Sequence, residues 1–339
     1  MPAEIGMAAI QRALRSLASG GQLEFSFFGG EPLLEARRIE NWMDYARARG
    51  SDLGKRVRFN VTTNGTIVTC EAWRIMMTED VDVAISFDGT PELHDRHRRD
   101  AHGAGSAAVV VRTLKALIGS EKPFHVITVV RPDNLAEMAG GLQWLYDAGV
   151  RQVHLSLDLW TRWTAGGCLR LEQFVRQAAT LWRQWLPDFS LNWFDAKAAE
   201  LAHLAPTEQT TRCGFGNGEI AVAPSGRLYP CERLIEIDRP DQPLRLPGHA
   251  LEGEDFLEFQ SVPFTRCSPC AGCALAFACD TTCPCSNFIR TGDANRPDGL
   301  LCRLNKATAQ ATAEVLKGDK FLAETRNNYN RTEQEKCYA

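Results

Sequence analysis

The sequence predicts an α/β fold in which a partial or full barrel of parallel strands and helices precedes a small cysteine-rich module. Apolar runs of strand length alternate with segments of helical periodicity through the first half of the chain. Such β-α repeats imply parallel strands joined by right-handed crossovers. Eight of the twelve cysteines then lie between Cys231 and Cys302. We therefore expect a barrel core over 1–205, a cysteine-rich module over 206–317 and a polar tail over 318–339.

The predicted elements follow one another regularly. Apolar residues at helical spacing mark a first helix within 8–18. Five strands are expected at 23–28, 57–62, 81–87, 124–130 and 152–158. The intervening helices are expected from about Leu34, after Thr69 as an N-cap, at 106–119, from Asn134 and from about Leu171.

Composition limits the function classes. The chain has 339 residues, 44 % of them apolar and 24 % charged, so a sizeable core can form. Its net charge of −4 gives no reason to expect nucleic acid or an anionic membrane as a partner. No apolar run approaches the roughly 20 residues of a membrane span, and residues 1–20 lack a signal-peptide core. Many thiols in such a chain predict a cytoplasmic protein.

The ends of the predicted strands carry the chemistry of the first half. They read FFGGEP (27–32), TTNG (62–65), SFDG (86–89) and SLDL (156–159). Active sites of β/α barrels lie at the carboxyl ends of the strands, and glycines let a backbone approach a ligand closely. Simple turns are the alternative for any one segment. Several such segments in register predict a pocket.

The cysteine array predicts a metal centre. Between Cys267 and Cys285 the thiols are only one to five residues apart, so they can converge on one soft metal. A disulfide framework is the alternative, but disulfide-dense chains are usually small and secreted. Zinc sites usually consist of two separated CxxC pairs, often with histidine, so this spacing favours iron–sulfur clusters.

The array resembles the SPASM domain, a module that carries auxiliary iron–sulfur clusters in many radical S-adenosylmethionine (AdoMet) enzymes. The pattern is a Cys, a Gly followed by four residues and a Cys, then CxxC-x5-C-x3-C and a last Cys. The matching residues are Cys213, Gly226, Cys231, Cys270, Cys273, Cys279, Cys283 and Cys302.

The resemblance implies two auxiliary 4Fe-4S clusters. Cys213, Cys231 and Cys283 would hold the near cluster, and Cys270, Cys273, Cys279 and Cys302 the far one. Some relatives have a fourth near thiolate where this chain has Glu219. The candidates for the fourth ligand are Glu219, Cys267, Cys285 or an open site for substrate. Cys267 and Cys285 can equally be small buried residues, and Cys70, Cys168 and Cys337 are not expected to be ligands.

The first half resembles the radical AdoMet core of the peptide-modifying branch that includes anaerobic sulfatase-maturing enzymes. Gly29, Gly30, Glu31 and Pro32 match its GGEP motif, which binds the methionyl amino group. The chemistry agrees, since an ammonium group is bound by a carboxylate and exposed carbonyls. The similarity of TTNGT and ISFDGTPELHDRHR to that branch extends the site to Asn64, Ser86 and Arg98. Ser86 would contact the ribose, and Arg98 the cofactor carboxylate, in competition with Arg96 and Arg99.

The resemblance implies an oxidoreductase that abstracts hydrogen from a side chain of a peptide or protein substrate. A low-potential donor such as flavodoxin or ferredoxin would supply electrons, and the auxiliary clusters would accept the substrate electron or bind the substrate. We expect Asp158 to act as an acid or base at its strand end. Trp160 and Trp163 are candidates for the substrate cleft, with packing between domains as the alternative.

One family motif is absent from the sequence. The family binds its AdoMet-cleaving cluster with a CxxxCxxC loop after the first strand, whereas residues 1–69 contain no cysteine. We expect that Met1 is an internal methionine of a longer frame and that the chain as written cannot form the deoxyadenosyl radical. In-frame codons for CxxxCxxC upstream of Met1 would confirm this, and restoring them should switch cleavage on. A decayed peptide-binding homologue, a zinc-stabilised structural protein and an electron-transfer protein are the rival functions.

Overall fold

A parallel sheet forms the centre of the protein. The computed structural model describes residues 1–203, 214–216, 218–257, 270, 272–276, 279 and 283–317. Six strands lie side by side in chain order, all parallel. Their bounds are β1 Gln22–Phe27, β2 Arg56–Thr63, β3 Val81–Ser86, β4 Phe124–Val130, β5 Gln152–Leu157 and β6 Ser190–Leu191. The predicted fold class, a partial barrel of β/α units, is therefore confirmed.

Helices connect the strands. They are α1 Ala3–Ser16, α2 Ala36–Asp52, α3 Cys70–Met77, α4 Pro91–His97, α5 Ala107–Gly119, α6 Met138–Asp147, α7 Ala165–Trp185 and α8 Asn192–His203. Because the strands follow one another in chain order and right-handed crossovers connect them, the connecting helices lie on one face of the sheet. The cluster of buried side chains that joins sheet and helices includes Phe59, Val83, Leu114 and Leu142, each at most 2 % exposed.

Local sequence signals explain most element ends. Thr69 caps α3 as predicted, because its hydroxyl accepts from the N–H of Ala72 at 3.2 Å. Two predicted helix starts were displaced. The helix expected from Asn134 begins only at Met138, since the Asn134 side chain bonds backbone groups of Val129 and Arg131 and holds a turn.

The helix predicted from about Leu171 begins earlier, at Ala165. The hydroxyl of Thr164 accepts from the N–H of Gly167 at 3.1 Å and caps it. Cys168, which is not expected to be a ligand, therefore lies on α7. Strand β6 was not predicted, because its two residues are too short to show periodicity.

The cysteine-rich part packs on the first helix. A hairpin of β7 Ala221–Val222 and β8 Leu228–Tyr229 forms its centre. Leu228, Leu246 and Phe256 form a buried cluster with Ile5 of α1. Arg12 of α1, only 3 % exposed, donates to the carbonyl oxygens of His249 at 2.7 Å and Asp255 at 2.6 Å. These contacts fix the hairpin against the barrel.

Two further helices, α9 Pro284–Thr291 and α10 Gly299–Val315, complete the described chain. Helix α10 packs against α7 and α8 and so returns to the barrel. The predicted polar tail, 318–339, lies outside the described residues. Among the described helices, none combines the length and the apolarity needed to cross a bilayer.

Candidate functional site

The parallel register brings the predicted strand-end segments to one edge of the sheet. Phe27 of β1 pairs with Val61 of β2, and Ser86 of β3 pairs with Ile127 of β4. GGEP, TTNG and SFDG therefore follow three neighbouring strands at their carboxyl ends. Carboxyl ends of parallel strands are where ligands bind in open α/β sheets and barrels.

Glu31 joins two of these strand ends. One carboxylate oxygen, Oε1, accepts from the N–H of Leu33 at 3.0 Å and from the hydroxyl of Thr63 at 2.7 Å. The other, Oε2, accepts from the N–H of Asn64 at 2.7 Å. The side chain thus begins the 3₁₀ turn Pro32–Glu35 and holds it to the end of β2. A carboxylate has about four acceptor positions, so these three bonds leave capacity for one more donor.

The TTNG segment ends β2 and continues into a turn that side-chain hydrogen bonds stabilise. The Asn64 side-chain oxygen accepts from the N–H of Thr66 at 2.9 Å and from its hydroxyl at 2.7 Å. Gly65 has φ +72°, and a Cβ there would lie 3.1 Å from Val110. Both the positive φ and the close approach of Val110 favour glycine at this position.

Arg98 is the inward-directed arginine of the three that competed in the sequence. Its Nε and Nη2 donate to Asp88 at 2.6 and 3.3 Å, and Asp88 is 3 % exposed at the end of β3. Arg96 instead pairs with Glu137 at the surface, and Arg99 donates to the carbonyl of Gly103. Arg98 is therefore the arginine held at the strand-end edge.

His94 supports the same edge from α4. Its Nδ1 lies 3.4 Å from the N–H of Asp88, and its Nε2 lies 2.9 Å from the Ser106 hydroxyl. Burial lowers the pKa of His94 to about 4, with Asp88, Asp95 and Arg98 as the charges that act on it. The folded protein therefore holds this imidazole neutral.

We expect stability to fall as the pH is lowered from about 6.5 to about 4. Over that range the unfolded chain protonates His94 and the folded chain does not, so the unfolded state gains protons. The loss reaches at most about 3 kcal/mol. The thermal midpoint of His94→Asn should depend less on pH than that of the parent. His97→Asn, at an exposed position of the same helix, should keep the parent's pH dependence; equal slopes for all three proteins would contradict the assignment.

Asp158 is buried at the end of β5, with 8 % exposure. Its Oδ1 accepts from the N–H groups of Trp160 and Thr161, and its Oδ2 pairs with Arg131 at 2.9 Å. These contacts give the carboxylate a role in shaping the turn after β5. Its predicted acid–base role stays a prediction, and proton transfer there would compete with the ion pair.

The two tryptophans of this turn differ. Trp163 packs against the core and donates from its indole N–H to the carbonyl of Asp158 at 2.9 Å. Trp160 is 61 % exposed. Trp163 thus has the packing role that we kept as the alternative, while Trp160 presents its ring to solvent beside the strand ends.

The sheet face opposite the helices carries polar residues, of which only Ser86 was predicted as a site residue. Along the strands, half-buried Asn60, Ser86, His125, His154 and Ser156 alternate with fully buried core residues. The rings of His125 and His154 lie 4.2 Å apart between centroids. The Asn60 side-chain oxygen is buried and has no hydrogen-bond partner among the described residues. Successive side chains of a strand point to opposite faces of the sheet. The polar residues that alternate with the apolar ones along each strand therefore indicate this face.

Two thiols of the cysteine-rich part each lie next to a third, Cys285, although the three sulfur atoms are not all within 4.8 Å of one another. The Cys283 and Cys285 sulfur atoms are 3.3 Å apart, and Cys231 lies within hydrogen-bonding contact of Cys285. None of the nine described cysteines is in a disulfide. On its other side, Cys231 has Glu219 and Glu232, whose ligand atoms and that of Cys231 all lie within 4.8 Å of one another. This is a compact set of soft and hard metal donors.

Contacts between thiols and burial raise the pKa values of Cys283 and Cys285, so both of these thiols stay protonated near neutral pH. The hydrogen bond to Cys285, together with burial, raises the pKa of Cys283 well above its usual range. The hydrogen bond with Cys231 raises the pKa of Cys285 to about 12. Burial lowers the pKa of Arg233, but the surrounding Cys285, Cys283 and Glu232 outweigh it and raise that pKa. A metal that binds here must displace protons from the thiols.

The predicted far set is described only locally. The N–H of Cys273 donates to the carbonyl of Cys270 at 3.2 Å, as in a tight turn, and Cys302 lies in the first turns of α10. Among the residues described, the four thiols of this set do not gather within 4.8 Å of one another. Cys213 and Cys267 lie outside the described residues, so their predicted roles stay predictions.

Helix α9 connects Cys231, Cys283 and Cys285, here called the thiol set, to the edge of the sheet where the strands end. It begins after Cys283, and near its other end Arg290 donates to the carbonyls of Leu159 at 2.9 Å and Thr161 at 3.1 Å. Those carbonyls belong to the turn after β5. The eight residues of α9 span about 12 Å along the helix axis.

Comparison with known proteins agrees with these features. Residues 2–145 match the Radical SAM superfamily. The serine-type anaerobic sulfatase-maturating enzyme of Klebsiella aerogenes is 25 % identical over 291 residues, which cover 81 % of this chain and 70 % of that protein. The cysteine-type enzyme of Clostridium novyi is 25 % identical over 225 residues, 62 % of this chain and 59 % of that one.

Solved structures share the fold. anSMEcpe with bound AdoMet superposes with a TM-score of 0.75 at 18 % identity and covers 97 % of this chain and 90 % of its own. The complex of anSMEcpe with AdoMet and the Cp18Cys peptide gives 0.74 at 19 % identity, with 97 % and 92 % covered. Streptococcus suis SuiB bound to its precursor peptide SuiA gives 0.59 at 14 % identity, with 88 % and 69 % covered.

Proposed function

Because residues 2–145 form a radical SAM domain, we propose that the protein is an AdoMet-dependent oxidoreductase that modifies a side chain of a peptide or protein. The observation that carries the proposal is the strand-end edge, where Glu31 follows β1 and bonds the end of β2, and Asp88, paired with Arg98, follows β3. The similarity to two sulfatase-maturating enzymes and to two peptide-bound structures supports a peptide as the substrate class.

The residues at this edge fit AdoMet. Glu31 keeps acceptor capacity for the methionyl ammonium group after bonding Leu33, Thr63 and Asn64. Ser86 ends β3, and we propose that it bonds a ribose hydroxyl; Arg98, which pairs with Asp88, would bind the cofactor carboxylate. AdoMet supplies, when bound, a carbon radical that takes hydrogen from the substrate. Residues 1–69 offer no thiolate, so we assign no step to a cluster there.

The cysteine-rich part fits iron–sulfur clusters. Cys231 and Cys283 are two of the three near ligands that the SPASM resemblance implies, and both lie in the thiol set. We assign the far set to Cys270, Cys273, Cys279 and Cys302, and Cys213 to the near set. Such clusters supply electron transfer or substrate ligation when bound. Helix α9 begins after Cys283 of the near set, and its Arg290 bonds the turn after β5.

A hydrogen-transfer experiment tests the proposal. Protein expressed from its own gene and purified without oxygen is incubated with AdoMet, a reductant and peptides carrying deuterated serine or cysteine side chains. We expect deuterium in 5′-deoxyadenosine and a peptide that has lost hydrogen, both seen by mass spectrometry. The same assay is repeated with deuterated peptide and protein fractions of the cell. If 5′-deoxyadenosine forms but takes up deuterium from none of them, a peptide substrate is contradicted.

A further inference from the structure

Cys285 does not belong to the cysteine pattern that the sequence resembles, yet it is the thiol at the centre of the set. It is 3 % exposed, lies 3.3 Å from Cys283 through the sulfur atoms, and contacts Cys231. A surplus cysteine that served only as a small core residue would need apolar neighbours and no particular orientation. Cys285 has apolar neighbours, in a buried cluster with Phe215, Tyr229 and Leu234, but its thiol also lies between two thiols expected to bind metal.

The start of α9 explains how two thiols only two residues apart point to one place. Cys283 lies just outside the helix with φ −85° and ψ 99°, and Pro284 occupies the first helical position. The Cys283 sulfur also lies 3.2 Å from the Ser286 hydroxyl, which holds that side chain over the first turn. The extended backbone at Cys283 thus turns its side chain back towards Cys285.

The competing fourth donor, Glu219, is a different kind of ligand. Its carboxylate groups with Cys231 and Glu232 rather than with the Cys283–Cys285 pair. Thiolates are the usual ligands of iron–sulfur clusters, whereas carboxylates suit harder ions. The donor types therefore separate into a thiol side and a carboxylate side around Cys231.

The surroundings also suit a negatively charged centre. The Arg233 guanidinium lies near the three thiols, within 3.4 Å of the Ser286 hydroxyl through Nη1. A cation beside a thiolate-bound cluster offsets part of its charge and stabilises it.

We infer that Cys285 is a metal ligand, and that it forms a three-thiolate set with Cys231 and Cys283 in place of a carboxylate ligand from Glu219. The inference rests on the proposed iron–sulfur function and goes further by naming a ligand outside the resembled pattern. It predicts that the thiol pair CxC at the start of α9 binds one cluster with both of its sulfur atoms.

The test is metal analysis of the anaerobically reconstituted full chain. Cys285→Ala should lower iron and acid-labile sulfide from about eight to about four per chain and remove one cluster signal from the EPR spectrum of the reduced protein. Cys168→Ala, which changes a half-buried cysteine on α7, and Glu219→Gln should keep the parent's iron and spectrum.

The results distinguish a failure of the proposed function from a failure of the inference about Cys285. If the parent binds no iron, the proposed function fails. If the parent binds iron and Cys285→Ala binds as much iron as the parent, while Glu219→Gln loses a cluster, only the inference about Cys285 fails. Cys285→Ser keeps the side-chain size and covers the case in which alanine unfolds the site. A ligating serine would shift the EPR signal of one cluster, and a spectrum identical to the parent's would overturn the inference.

Discussion

Replacing Glu31 with glutamine should weaken AdoMet binding by about ten- to a hundred-fold while the iron content stays unchanged. The loss of a charge-assisted partner in a half-buried site typically costs about 1.5–3 kcal/mol. An amide at this position also turns a donor towards the N–H of Asn64, where the carboxylate now accepts at 2.7 Å. Equilibrium dialysis of labelled AdoMet against anaerobically reconstituted protein measures the effect.

Matched variants separate the charge of Glu31 from its structural role. Thr63→Val removes the hydroxyl that donates to Glu31 at 2.7 Å but leaves the carboxylate, so it should weaken binding less than Glu31→Gln. Glu35→Gln changes an exposed carboxylate of the same 3₁₀ turn, and Glu92→Gln an exposed one at the start of α4. Both should bind like the parent. Equal losses for Glu31→Gln and Thr63→Val would show that Glu31 only holds the turn, and unchanged affinity of Glu31→Gln would refute the pocket.

Cys273→Ala should remove about half of the iron from the reconstituted protein, from about eight atoms per chain to about four. The reason is that the far set and the near set bind their clusters through different cysteines. Iron and sulfide analysis checks the number, and the exposed Cys70→Ala is the matched control, which should keep all of it. Stoichiometric zinc without charge-transfer absorption would contradict the iron–sulfur assignment, and loss of all iron would contradict separate ligation.

Periodicity was sufficient to predict the barrel strands, since each of the first five carries enough residues to show alternation or a continuous apolar run. It could not predict β6, whose two residues pair with Gln152 and Val153 of β5 only through the sheet. The ends of helices were less predictable. Asn134 and Thr164 both act through side-chain bonds to the backbone, and the residue type alone does not say which helix start they serve.

The candidate pocket was predictable in its residues but not in its contacts. GGEP and SFDG indicated which strand ends matter, whereas the choice of Arg98 over Arg96 and Arg99 needed the ion pair with Asp88. The adjacent rings of His125 and His154 were missed because the apolar residues of their strands were used to identify the core, and the polar residues between them were not considered. Only the register of β4 and β5 brings them together.

The thiol set shows the same limit. The resemblance to the SPASM pattern implied that Cys231 and Cys283 belong together, although 51 residues separate them in the sequence. It left Cys285 undecided, because spacing does not fix the direction of a side chain at the start of a helix. The backbone at Cys283 and the first turn of α9 decide that direction.

Formation of 5′-deoxyadenosine is the measurement that tests the central claim most directly. Protein expressed from its own gene, with any in-frame codons upstream of Met1 included, is reduced without oxygen in the presence of AdoMet. The product is quantified against a no-protein control and against Glu31→Gln in the same protein. We predict product above the control for the parent and strongly reduced product for Glu31→Gln at limiting AdoMet. No product from a parent that holds its full complement of iron would contradict a radical AdoMet function.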